Sequence, residues 1–176
     1  MRDPIAETPE QQRFLEVFRY LPAVTAYARR RGSRDPEGLA AEVMTVAWRR
    51  LDAVPGRDPL PWLLATARNL ALAQFREASQ VAAVGDVDRA FFDPRLEPGG
   101  LSPELDAALR QLAPIDREAL LLIAWEGLTP AQAARVLGVS AVAFRVRLHR
   151  ARHRCAALLE AADVVPTAHP EVSNGC

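Results

Sequence analysis

At 176 residues with 49% apolar side chains, the chain is long enough to bury a real core, which excludes a disordered tail. Its 22 basic residues, all arginine, balance 22 acids, and its two cysteines, Cys155 and Cys176, are too few for a disulfide framework or a four-thiolate zinc site. No segment reaches the ~18 uninterrupted apolar residues of a membrane span and "MRDPIAETPEQQ" lacks the apolar stretch of a signal peptide, so we expect a soluble, cytoplasmic chain with no membrane contact of its own.

In chain order, a first helix is expected over Pro9–Leu21, stopped or kinked by Pro22, and a second over Ala23–Arg31, ended by Gly32. Asp35 as N-cap with Pro36 behind it opens a third helix through about Ala53, with Leu39, Val43, Ala47 and Leu51 in a row at i, i+4 spacing. A fourth follows "RDPLP" through about Ala78, with Leu60, Leu63, Leu64, Ala67, Leu70 and Ala71 facing one way. From Ser79 to Pro103 the period is lost and Gly, Pro and Asp cluster, as in a linker. Helices are then expected over Pro103–Leu112 and Ile115–Glu126. Thr129, Pro130 and Gln132 form a strong helix start, "LGVS" a tight turn after Leu137, and Ser140 a cap for the last helix. The expected fold is all-α, in two small helical domains: residues 9–78, a linker at 79–103, residues 104–160, and a tail at 161–176 whose two prolines and absent periodicity favour flexibility.

The charge is unevenly placed. Residues 79–118 carry 4 arginines against 8 acids, whereas residues 127–154 carry six arginines, two histidines and no acid. With Phe144 at zero and about 100° per residue, Leu148, Ala151 and Cys155 fall within about 40° of it. Arg145, His149 and Arg152 flank that narrow apolar seam on one side and Arg147, Arg150 and Arg154 on the other, with Val146 and His153 opposite. A helix-turn-helix whose second helix is basic off its seam matches the major groove of DNA, with phosphates on both walls and guanine acceptors on the floor. An arginine-rich face is often only solvated surface. The absence of acids, the Thr-Pro cap and the "LGVS" turn together favour DNA. Cys155 reads as core packing, and His149 and His153 as polar-face residues rather than metal ligands; no metal or cofactor is expected.

The run "LRQLAPIDREALLLIAWEGLTPAQAARVLGVSAVAFRVRLHRARHRC", with "REALLL", "EGLTPAQAARVLGVS" and "RLHRAR" in order, resembles region four of bacterial RNA polymerase sigma factors of the extracytoplasmic-function group, in the sigma-70 superfamily. "AEVMTVAWRRLDAV" and "PWLLATARNLALAQFRE" resemble the two central helices of region two of that group. The resemblance covers about residues 14–78 and 105–159. It implies a promoter-specificity subunit with no catalytic residues, whose partners are the RNA polymerase core, through the largest subunit's coiled coil and the second subunit's flap, promoter DNA, and an anti-sigma factor.

Carried over by position, Arg145, Val146, Arg147, His149 and Arg150 meet the −35 element, with Arg152 and Arg154 on phosphates. Val54, Arg57 and Asp58 shape a pocket for a flipped-out base, and Arg68, Asn69 and Arg76 read the −10 strand. Leu39, Glu42, Val43, Val46 and Trp48 lie on the helix that meets polymerase. The chain departs from the group it resembles at Gly38 and Ala41, where an acid and Gln are usual, at Ala73, and in "SAVAFRV", where Val146 takes the place of a small polar residue. The alternative is a stand-alone helix-turn-helix regulator that binds a palindrome without polymerase. An enzyme finds no Gly-rich phosphate loop, HExxH or nucleophile motif in support.

Overall fold

A computed structural model describes residues 8–80 and 101–163, in eight α-helices with no strand among them. Most of the expected linker and tail therefore lie outside the described residues, including the acids Asp86, Asp88 and Asp93.

Helix α1 (Pro9–Phe18) starts at a capping box, in which Thr8 Oγ1 accepts from the Gln11 N–H and Gln11 Oε1 accepts from the Thr8 N–H. Helix α2 (Leu21–Arg30) follows after two residues. Pro22 sits in its first turn, where a missing N–H costs nothing, so it belongs to the start of α2 and not to the end of the preceding helix. Helix α3 (Pro36–Arg49) is capped by Asp35, which accepts from the Gly38 N–H at 2.8 Å. A Cβ at Gly38 would come within 2.0 Å of that carboxylate, so any other residue there must swing the cap aside. The helix ends at Arg49, short of the expected Ala53. Arg50 leaves helical geometry at φ −124°, and Leu51–Ala53 form a separate 3₁₀ turn.

Helix α4 (Leu60–Gln80) is the long element of the N-terminal half. In the C-terminal half, α5 (Pro103–Gln111) and α6 (Pro114–Ala124) precede α7 (Pro130–Leu137) and α8 (Ala141–Asp163). The turn between α7 and α8 uses Gly138 in the left-handed region, φ 66°, where a side chain would be strained. Thr129 caps α7 in a second capping box with Gln132. Thr129→Ala, which removes both capping hydrogen bonds of its side chain, is expected to cost about 1 kcal/mol, read as a lowered urea midpoint with an unchanged slope.

The two halves share their core. Val17, Val24, Tyr27, Val43, Met44, Leu63 and Leu64 cluster with Ala119, Leu122, Leu128, Ala133, Phe144 and Leu148 of the C-terminal half. Farther along α4, Leu72 packs with Leu109, Leu112 and Leu121. Helix α4 thus packs along the C-terminal half, chiefly against α7. A linker-joined pair of domains leaves such faces open, whereas here each half covers the other's apolar surface.

Candidate nucleic-acid and polymerase interface

Helix α8 is anchored by the stripe the sequence predicts. Phe144, Leu148 and Ala151 are buried and Cys155 is half-buried, where burial pushes its thiol pKa up and away from nucleophile or ligand chemistry. Off that stripe, Arg145, Val146, His149, Arg150, Arg152 and Arg154 are exposed. The basic surface is therefore real and single-sided.

Two of its arginines have a further duty. Arg147 Nη1 donates to Asp116 Oδ1 at 2.9 Å and Arg154 Nη1 to Asp116 Oδ2 at 3.2 Å, so one largely buried carboxylate of α6 holds two side chains of α8, seven residues apart. A carboxylate accepting two guanidinium donors forms strong charge-assisted bonds and fixes the rotation of α8 over α6. His149 and His153 lie side by side, Nε2 to Nε2 3.2 Å, on the exposed face. No group of three metal-ligating side chains occurs among the described residues.

In the N-terminal half the −10 residues divide. Asn69, Arg57 and Arg76 are exposed. The Val54 side chain is buried and its carbonyl accepts from Arg13 Nη2 at 2.9 Å, so this position shapes the loop through its backbone and not its surface. Around that loop, Arg13, Arg19 and Tyr20 of the α1 region join Val54, Gly56 and Arg57 in a hollow of about 430 Å³. A second, larger cleft of about 610 Å³ lies between α3 and α4, lined by Arg49, Arg50, Trp62, Thr66 and Asn69. Arg13, Arg19, Arg49 and Arg50 escape a residue-by-residue reading because residues that line the same hollows are distant in sequence; two adjacent arginines at the end of α3 were the available signal. Arg68 and Asp58 face the C-terminal half instead. Arg68 Nε donates to Glu118 Oε2 at 3.1 Å, and Asp58 Oδ2 accepts from Gln132 Nε2 at 2.7 Å.

On α3, Leu39 and Val43 are buried core residues, because the i, i+4 row that makes the helix amphipathic faces α2 and α4. Both side chains are covered by the chain's own helices and are absent from its surface. Glu42 and Trp48 are exposed and Val46 is half-buried. Trp48 stacks edge-on against Phe14 at 5.0 Å, and Phe14 packs against Phe18 at 5.9 Å. With Leu15 and Phe18 also exposed, α1 and α3 present an apolar patch that the sequence reading located only at Trp48.

Set beside known proteins, residues 17–81 match the family Sigma-70 region 2 and residues 102–155 match Sigma-70, region 4. The ECF RNA polymerase sigma factor BldN of Streptomyces coelicolor is 31% identical over 153 residues, 81% of this chain, which spans 56% of that relative's length. RNA polymerase sigma factor CarQ of Myxococcus xanthus is 29% identical over 85% of this chain and 90% of its own. Among solved structures, the sigma factor RpoE in complex with the anti-sigma factor NepR from Bartonella quintana matches with a TM-score of 0.62 and 25% identity, over 83% of this chain and 95% of that one. Both sigma regions occur here once, in order, on the helices that carry the clefts and the basic face, and together they take up two thirds of the chain: it belongs to the sigma-70 family of RNA polymerase sigma factors.

Proposed function

We propose that this chain is a promoter-specificity subunit, which binds the RNA polymerase core, recognises −10 and −35 elements and starts transcription without chemistry of its own. One observation carries the reading above the others: two arginine-bearing surfaces of different kind sit on separate halves of one chain. The exposed basic face of α8 suits duplex phosphates and guanine edges, and the arginine-lined clefts around α4 suit an unpaired strand.

On this reading Arg145, Val146, His149 and Arg150 face the −35 bases, with Arg147 set by Asp116, and Arg152 and Arg154 contact phosphates. Arg57, Asp58, Arg68, Asn69 and Arg76 serve the −10 strand, joined by Arg49 and Arg50 from the neighbouring cleft. Glu42, Val46 and Trp48 meet the coiled coil of the largest polymerase subunit, and the second subunit's flap receives the C-terminal half. An anti-sigma factor, such as the one bound to the RpoE relative, covers part of these surfaces when the protein is held inactive. The domains are residues 9–78 and 104–160, joined by 79–103, with 161–176 as the tail. No helix among the described residues is long and apolar enough to cross a membrane. A subunit of RNA polymerase acts where polymerase and promoter are, so on this reading the chain works in the cytoplasm.

The division of affinity follows from magnitudes. A lone basic helix-turn-helix holds nonspecific DNA at roughly 10⁻⁴–10⁻⁶ M at physiological salt, and each good bidentate base contact adds about 1–3 kcal/mol of discrimination. Fixing both halves on polymerase makes the second contact intramolecular, which multiplies two modest affinities. The test is a pull-down with sigma-free bacterial core polymerase, followed by run-off transcription on a genomic fragment library. Core binding and new start sites sharing two spaced elements are the expected result. A palindrome retained by the protein alone, with no core binding, would replace this reading with a stand-alone regulator.

A further inference from the structure

His149 and His153 stand four residues apart in "HRARH", in the middle of α8. Residues at that spacing are neighbours on a helix face, with Cβ atoms about 5–6 Å apart. Both rings are exposed on the side away from the apolar stripe, while the buried Leu148 and Ala151 hold the backbone that carries them. Their Nε2 atoms are 3.2 Å apart and their ring centroids 4.4 Å, with the planes inclined at 55°. On spacing alone the pair reads as two polar-face residues; the approach of the two nitrogens adds a further chemistry. An imidazole nitrogen binds zinc at about 2.0–2.1 Å, and two such bonds meeting at a right or tetrahedral angle set the nitrogens roughly 2.8–3.4 Å apart. The observed 3.2 Å falls inside that interval. One ion can therefore take both lone pairs after a small turn of each ring, with the helix backbone left in place.

No third His, Cys, Asp or Glu joins the pair among the described residues, so an ion held there keeps positions open for water or for a ligand from outside. Cys155 lies on the apolar stripe, across the helix from the pair, and supplies no thiolate to it. Where metalloproteases with histidines at this spacing carry a glutamate as general base, this chain has Arg150. The pair can bind an ion but has no base with which to use it in hydrolysis. Arg145, Arg150 and Arg152 are exposed around the rings, and their charge repels every dication alike. Only an ion that gains from nitrogen coordination overcomes that repulsion. Zinc, nickel and copper do; magnesium and calcium, which take oxygen ligands, do not.

We propose that His149 and His153 form an open two-imidazole site for a divalent transition ion of the zinc, nickel or copper kind, on the outward face of α8. An ion bound there occupies both Nε2 atoms and sets a hydrated charge where His149 faces a base. Duplex DNA then meets more charge and less pattern: attraction to phosphates persists, while preference for one sequence falls. That consequence rests on the −35 reading of His149; the ion site itself does not.

The test uses the full-length chain in two measurements. Calorimetric titration with zinc ions needs no promoter. Zinc is expected to bind and magnesium to give no signal, and H149A and H153A are each expected to lose more zinc affinity than the roughly tenfold that follows removal of a residue merely supporting a ligand. Should circular dichroism show H153A short of helix, H153Q must give the same loss. No zinc binding, or equal binding by wild type and both variants, overturns the site. Fluorescence anisotropy then compares a labelled duplex carrying the −35 sequence found by run-off transcription with a shuffled one. Saturating zinc is expected to lower the wild-type preference roughly tenfold, about the worth of one good base contact, and to leave the preference of H153A, which keeps His149, unchanged. An occupied site with unchanged preference overturns the interference. H149A without zinc then separates the causes: if it loses preference, His149 reads the element and the ion does not disturb it, and if it keeps preference, the fault lies in the −35 reading of His149.

Discussion

Phe144→Ala is expected to unfold the DNA-binding end of the protein while leaving its arginines in the sequence. Phe144 is fully buried and belongs to the shared core with Leu148, Leu122 and Ala133. Removing a buried phenyl ring costs about 3–5 kcal/mol, transfer and cavity together, against a total of about 5–15 kcal/mol for a domain of ordinary stability. The expected outcome is a large drop in thermal midpoint and loss of α8 protection in hydrogen exchange. DNA binding should lose its sequence preference but keep part of its salt-dependent attraction, because the charge survives when the geometry does not. A variant that kept its midpoint would show that α8 is held by something other than its apolar stripe.

Trp48→Ala should do the opposite, sparing the fold and damaging an assembly. Trp48 is half exposed and its main intramolecular contact is the edge-on packing with Phe14. Large aromatics at the centre of an interface commonly supply ~2 kcal/mol or more when truncated, which is about 30-fold in affinity. Titration against core polymerase should show that loss, with thermal unfolding moved by no more than a few degrees. Equal binding by the variant would move the polymerase surface away from the α1–α3 patch.

The helix-turn-helix was legible because its determinants are local: Thr129 and Gln132 three residues apart, Gly138 at the turn, and the four-residue spacing of Phe144 and Leu148. Helix ends were less legible where two rules compete. Pro22 stops a preceding helix and starts a following one equally well, and the choice went to α2 because Leu21 and Val24 pack inward. Transfer by position placed Leu39 and Val43 on the polymerase surface, although their own periodicity already marked them as core. The buried cluster at Glu118, whose Oε1 accepts from the Tyr27 hydroxyl and lies near Arg31 and whose Oε2 accepts from Arg68, was illegible for another reason: these residues have no mutual spacing in sequence, and only the packing of the two halves brings them together.

The Asp116 carboxylate, described above as a brace for α8, also changes how the protein answers to salt. DNA association is driven largely by the release of condensed counterions, one set for each phosphate that an arginine neutralises. An arginine already sharing a carboxylate displaces fewer ions than a free one. With Arg147 and Arg154 both joined to Asp116, α8 offers a lower effective valence than its row of arginines suggests. Nonspecific DNA then competes less well at low salt, and specific binding falls less steeply as salt rises. On the proposed −35 reading of α8, a single acid behind it thus shifts the protein from general adhesion toward selective binding.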